Sequence, residues 1–78
     1  MTIEIITPDK ALFKGEGTAV TVPGIDGSLG ILNNHAPLIS ALKKGRVKVT
    51  KTDGSEEFFE IGGGVAEVLK NKVIILAE

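Results

Sequence analysis

His35 is the only imidazole in a chain that has no cysteine. Asp26, Ser28 and Ser40 lie near it in sequence, and these four residues are the natural place to look for proton transfer or acyl chemistry. A catalytic histidine needs a nucleophile or substrate proton within reach and a carboxylate to orient its ring. No nucleophile-elbow or comparable motif frames Ser28 or Ser40. One histidine with scattered carboxylates does not supply three or four converging metal ligands. Two glycine-rich segments invite a phosphate reading: Gly24 to Gly30 spells G-x-x-G-x-x-G, and Gly62-Gly63-Gly64 is a triple. Phosphate cradles place such glycines between a strand and a helix N-terminus, and no helix pattern follows either segment. Neither carries the Lys-Ser/Thr ending of a P-loop. His35 therefore reads as a loop residue that bonds to backbone or touches a partner, and the glycines read as turns. The pair Glu56-Glu57 reads as a solvated strand face. No catalytic residue, cofactor site or metal site is expected.

The elements that position these residues read as strands. Thr2 to Thr7 alternates, with Ile3 and Ile5 on one face, before Pro8-Asp9 turns the chain. Ala11 to Val22 is a longer run interrupted by Gly15 and Gly17, a pattern that predicts a bulge or bend letting one strand serve two sheets. Pro23 to Leu38 holds three of the ten glycines, two of the three prolines and the histidine, so it reads as a shaped loop region that presents a surface. Within and beyond it, Leu29 to Leu32 and Ala36 to Leu42 are short apolar runs. In the following hairpin, the Asp53-Gly54 signal would put Glu60 opposite Val47. A one-residue slip sends every side chain to the wrong face, so the buried pattern should prevail. It predicts Val49 opposite Phe59, Val47 opposite Ile61, and a loop of three or five residues. Val65 to Leu69, a turn at Lys70-Asn71 and Val73 to Ala77 form a final hairpin, with Asn71 suited to a left-handed conformation. No segment shows a helical period with caps. Eight or more short strands with frequent turn signals make the expected fold all-β, a sandwich or flattened barrel.

Residues 1–78 form one domain, and a chain of this length has a thin core and marginal stability that a partner can supplement. Nine Lys+Arg against ten Asp+Glu leave a net charge of −1, with three phenylalanines, which excludes a phosphate-collecting or base-stacking surface. No signal peptide is visible. The uncharged run Gly27 to Leu42 is polar-interrupted and shorter than the ~20 apolar residues a spanning helix needs. Neither nucleic-acid binding nor direct membrane insertion is expected.

An ordered set of motifs does more. P-G-x-D-G-x-L-G-I-L-x-x-H-A-P-L-I-S-x-L-x-x-G, from Pro23 to Gly45, resembles the epsilon subunit of F-type ATP synthases. So do Leu12-Phe13-Lys14-Gly15, Glu56-Glu57-Phe58, Gly62 to Val68 and Asn71 to Glu78. The resemblance implies a flattened N-terminal β-sandwich of about ten short, mostly antiparallel strands in two sheets, which is a noncatalytic rotor subunit of the central stalk in a hetero-oligomeric complex. It implies binding to the gamma subunit and to the membrane c ring, so that proton flow is coupled to ATP synthesis at nucleotide sites on other subunits. The implied location is peripheral, on the cytoplasmic face of a bacterial plasma membrane. The ring-facing role carries over to Asp26, Gly27, Ser28, Leu29 and Gly30, and the gamma-facing role to Thr7, His35 and Ser40. Many members have an acidic residue at the position of Ser28, placed to meet a basic loop of the c subunit, so Asp26 is left to supply that charge. Typical members continue into a C-terminal helical hairpin, which is absent from residues 1–78. Neither helix-based inhibition nor the ATP site of that hairpin is expected here. The alternative reading, a stand-alone β-sandwich binding module for a small ligand, rests on the loop glycines alone.

Overall fold

Isoleucine and valine alternate with polar residues along most of this chain, and β-branched side chains pack well on a pleated, half-buried surface. A computed structural model describes all 78 residues, Met1–Glu78. It contains β1 (Thr2–Ile6), β2 (Ala11–Gly24), β3 (Gly27–Leu32), β4 (Leu38–Leu42), β5 (Gly45–Lys51), β6 (Glu56–Ile61), β7 (Gly64–Leu69) and β8 (Lys72–Ala77). The inward residues Ile3, Ile5, Val20, Val22, Ile31, Val47, Val49, Val73 and Ile75 are fully buried, and no polar or charged side chain shares the core with them.

Hydrogen bonding links the strands in the order β1-β8-β7-β4-β2-β5-β6, with β3 on the other edge of β2 and a further β1–β2 pairing. Only β1–β8 is parallel. One layer is β1, β8, β7 and β4, and the other is β3, β2, β5 and β6. The strand β2 joins them. Its first half pairs with β1, and from Gly17 onward it pairs with β5, the ladder slipping between Gly17 and Ala19. A Cβ at Gly17 would lie 2.6 Å from Ile3 Cδ1 and 2.7 Å from the Thr50 carbonyl oxygen, so the two layers meet here through bare backbone. The interrupted-strand reading of Ala11 to Val22 holds. The flattened all-β sandwich is as expected, with the eight strands that the pattern gave where the resemblance implied about ten; β2 runs unbroken through its bend and counts once.

The glycine- and proline-rich stretch differs from expectation. All of Gly27–Leu32 is strand, paired to β2 from Gly24↔Gly27 to Ala19↔Leu32, so the turn itself is only Ile25-Asp26. A second turn follows, in which the His35 N–H donates to the Leu32 carbonyl at 3.2 Å and Asn34 takes φ 61°.

The β5–β6 hairpin is in the expected parity but two residues away from the expected pairing: Val47 faces Phe59 and Gly45 faces Ile61. The turn decides this. Lys51 N–H donates to Ser55 C=O at 2.8 Å, and Gly54 N–H donates to Lys51 C=O at 3.0 Å, enclosing the three-residue loop Thr52-Asp53-Gly54. Gly54 takes φ +88°, the position where a three-residue hairpin loop wants glycine. Burial excluded the odd slip, and the glycine chose between the even ones. Asp53 Oδ1 accepts from the Ser55 hydroxyl at 2.6 Å and the Ser55 N–H at 2.9 Å. These bonds, the hydroxyl first, hold the Asp53 carboxyl below its ordinary value. A lowered folded-state value means the stabilisation is present above the unfolded carboxylate range and is lost as pH falls through the folded value. Asp53→Ala is therefore expected to lower the melting temperature at neutral pH, with the gap to wild type closing in acid. Thermal unfolding across a pH series tests this, and a gap constant with pH would refute it.

Candidate functional site

Of the residues with functional expectations, Asp26, Gly27, Ser28, Leu29 and Gly30 come together because the turn Ile25-Asp26 and the start of β3 form one hairpin tip. Asp26, Gly27, Ser28 and Gly30 are exposed and Leu29 is half-buried against the core. A cleft of 460 Å³ opens between this tip and β4, lined by Gly24 to Leu29 and by Ile39, Ser40 and Ala41. Ser40 thus shares a cleft with the Asp26–Leu29 group, which its position in sequence gave no reason to expect. The tip is fastened to β4 by the Ile25 N–H donating to Ala41 C=O at 3.0 Å.

Thr7 and His35 lie elsewhere. Thr7 closes the β1–β2 turn, its N–H and hydroxyl both donating to the Lys10 carbonyl at 2.8 and 3.0 Å. His35 stands beside the β7–β8 turn, in an open depression lined by Asn34, His35, Ala36, Pro37, Leu69, Lys70 and Asn71. That turn has both central residues in the left-handed region, Lys70 at φ 51° and Asn71 at φ 59°. The Asn71 side-chain oxygen accepts from Asn34 N–H at 2.7 Å and its carbonyl accepts from Thr2 N–H at 3.2 Å, so one residue holds three elements together. His35 Nδ1 lies 2.7 Å from the Ala36 carbonyl oxygen, which can only accept, so this nitrogen carries the proton. Neither serine hydroxyl is bonded to the ring, and no group of three or more metal-ligating side chains exists. The geometry offers surfaces, not reaction chemistry.

The two outer faces differ sharply. On the β4-β7-β8-β1 layer, cross-strand partners form an unbroken apolar row, Ala41↔Val65↔Leu76↔Ile6. Ile39↔Glu67↔Ile74 lies beside it, and Ile39, Val65 and Leu76 are exposed at 73%, 40% and 55%. A run of exposed aliphatics of this kind on one face marks an interaction surface. On the β3-β2-β5-β6 layer the outward charges of β5 and β6 are paired, Arg46 with Glu60 at 3.2 Å and Lys48 with Glu56 at 3.5 Å, while Arg46 also sits 5.2 Å from the Phe58 ring centroid; the outward residues of β2 and β3 are uncharged, with Leu32 exposed. At the margin of that layer Lys51 meets Glu57 at 2.7 Å, a contact that raises the lysine's pKa through its hydrogen bond and the carboxylate's charge. Exposed pairs of this kind add little stability. They cover the β5–β6 half of that face, whereas the apolar row on the other layer has only the Lys72–Glu4 pair, at 3.1 Å, beside it. The sequence reading missed the apolar row. Its signal was present in part, since the expected β7–β8 hairpin sets Val65 opposite Leu76, but only strand order reveals that Ala41 and Ile6 adjoin them.

Comparison with known proteins fits this architecture. The family model for the β-sandwich domain of the ATP synthase delta/epsilon chain matches residues 1–78. A Chlorobium limicola protein named ATP synthase epsilon chain is 49% identical over 76 residues, covering 97% of this chain and 86% of its own length. A Dichelobacter nodosus protein of the same name is also 49% identical over 76 residues, yet these are only 53% of its length. Among solved structures, a chain of the Euglena gracilis mitochondrial ATP synthase OSCP/F1/c-ring assembly superposes with a TM-score of 0.90 at 26% identity, over 96% of this chain and 48% of that one. A chain of the Tetrahymena thermophila mitochondrial ATP synthase central stalk and c-ring shares the fold, with a TM-score of 0.82 at 23% identity, over 99% of this chain and 62% of that one.

Proposed function

The chain belongs to the ATP synthase delta/epsilon family, and we propose that it is a noncatalytic central-stalk subunit of a proton-translocating F-type ATP synthase, linking the gamma subunit to the c ring. The reading rests on one observation: the whole sandwich, not an isolated motif, corresponds to relatives named ATP synthase epsilon chain. The physical design is consistent with torque transfer. A dry core with no buried polar side chain resists deformation, so force on one surface is carried to another.

Two surfaces are available for two partners. The apolar row Ala41-Val65-Leu76-Ile6 suits a stable contact with gamma, since burying it removes exposed aliphatic surface from water. Thr7 borders this layer at the end of β1, His35 at the turn preceding β4, and Ser40 lies within β4. The exposed tip Asp26 to Gly30 is the ring-facing surface, with Asp26 as its only charge. No helix of the chain is long and apolar enough to cross a membrane. The location proposed with this role is peripheral, on the cytoplasmic face of a bacterial plasma membrane.

Affinity capture on this chain from a detergent-solubilised membrane extract is expected to recover gamma, c subunits and the nucleotide-binding subunits. Recovery of the chain alone, at concentrations above any plausible dissociation constant, would overturn the proposal.

A further inference from the structure

The tripeptide Asp-Gly-Ser occurs twice, at Asp26-Gly27-Ser28 and at Asp53-Gly54-Ser55. Aspartate followed by glycine is the pairing in which a chain most readily attacks itself. The glycine nitrogen has no Cβ beside it to hinder its approach, so it can add to the aspartate Cγ and close a five-membered succinimide. Both sites share this local chemistry, so a difference between them has to come from the fold.

The fold holds one aspartate and leaves the other free. Asp53 Oδ1 accepts from the Ser55 hydroxyl and the Ser55 N–H, which pins the carboxyl across the loop. Gly54 N–H, the attacking group there, donates to Lys51 C=O. The two Ser55 bonds also favour the carboxylate over the neutral acid, and ring closure runs through the neutral acid, whose hydroxyl leaves. In the first tripeptide the serine is a strand residue: Ser28 lies in β3 opposite Pro23 and makes no bond back to the aspartate. No hydrogen-bond donor or cation contacts the Asp26 carboxyl, which is exposed. Gly27 takes φ +131°, a Cβ there would meet nothing within 4 Å, and its pairing with Gly24 is the terminal one of the β2–β3 ladder, where opening costs least. Gly54 has equally open surroundings, so what separates the sites is the hold on the aspartate.

We propose that Asp26 is the site at which this chain isomerises spontaneously, while Asp53 in the same tripeptide is protected. The Gly27 nitrogen gives up its proton and bonds to Asp26 Cγ as the carboxyl's hydroxyl departs, releasing one water. Water then adds back to the ring. Opening at the Asp26 main-chain carbonyl leaves the peptide linked through Cβ and Cγ, an isoaspartate of unchanged mass. The main chain is now one methylene longer and the only charge of the tip has moved. A two-residue turn has no slack for this, so the Gly24↔Gly27 pair is expected to open. The product carries an isoaspartyl carboxylate, the substrate class of S-adenosylmethionine-dependent repair methyltransferases. The reaction needs no partner. Where the proposed ring contact covers the tip, it is confined to unassembled chain.

The experiment incubates the full chain for several weeks in mildly acidic buffer, folded and, in parallel, unfolded in urea. Isoaspartate at each position is measured by peptide mapping with electron-transfer fragmentation. In urea the two tripeptides are expected to react within twofold of each other. In the folded chain Asp26 should isomerise at least tenfold faster than Asp53. Ser55→Ala removes the hydroxyl bond and should speed Asp53 at least threefold. Asp26→Glu, which needs a six-membered ring, should leave no product at the tip. Equal rates at the two sites of the folded chain, or a faster Asp53, would overturn the proposal, and so would an Asp53 rate unmoved by Ser55→Ala. A tenfold difference already present in urea would show that the fold is not its cause.

Discussion

Gly64→Ala is expected to lower the stability of the domain by about 3 kcal/mol or more. Gly64 opens β7 with φ +144°, a region that side-chain-bearing residues rarely adopt. A Cβ there would overlap the Leu76 carbonyl oxygen and come within 3.0 Å of Ala77 Cα. Both are backbone atoms of β8 and cannot rotate away, so the cost combines dihedral strain of about 1–2 kcal/mol with overpacking at the upper end of its usual range, about 2–3 kcal/mol. A domain of this size has about 4 to 12 kcal/mol in total. At about 4–8 °C per kcal/mol, the melting temperature should fall by about 12 °C or more. Gly30→Ala is the matched comparison: its φ is not positive and its Cβ would sit in open space, so stability should stay the same or rise slightly. Thermal unfolding of the two variants decides the matter. Equal melting temperatures would show that the conformation assigned to Gly64 is wrong.

Leu76→Glu is expected to abolish gamma capture while leaving the fold intact. Leu76 is 55% exposed between Val65 and Ile6, its cross-strand partners, and the buried residues on either side of it in β8 are Ile75 and Ala77. A carboxylate at this position stays in water in the free domain and costs little. In a docked complex it must be desolvated against aliphatic side chains, a loss of about 3 kcal/mol or more, which is over a hundredfold in affinity. Phe58→Ser, on the opposite face, should leave capture unchanged because that face presents paired charges. Titration of purified gamma against each variant measures this. Retention of wild-type affinity by Leu76→Glu would remove the apolar row from the interface.

These two substitutions separate what local pattern determines from what assembly determines. The inward set, Ile3, Ile5, Val20, Val22, Val47 and Val49, was legible because a strand's side chains alternate with a period of two whatever its neighbours are. The Lys70-Asn71 turn was legible for the same reason, being a local conformation of two residues. Register was half legible. Alternation excluded an odd slip at β5–β6, but the choice between even ones waited on the left-handed position that Gly54 alone could fill.

Adjacency was not written in any local pattern. Ser40 meets Asp26 and Ser28 in one cleft, while His35, five residues earlier, stands beside Asn71. Val65 and Leu76 face each other across the β7–β8 hairpin, and Ile6, from the far end of the chain, joins their row only because β1 and β8 pair in parallel. By itself the sequence determined which residues turn inward, where the chain bends and which family's motifs it carries. The tertiary structure decided which outward residues share a surface and which edges stay open, because those depend on strand order, and strand order is settled by contacts between segments far apart in the chain.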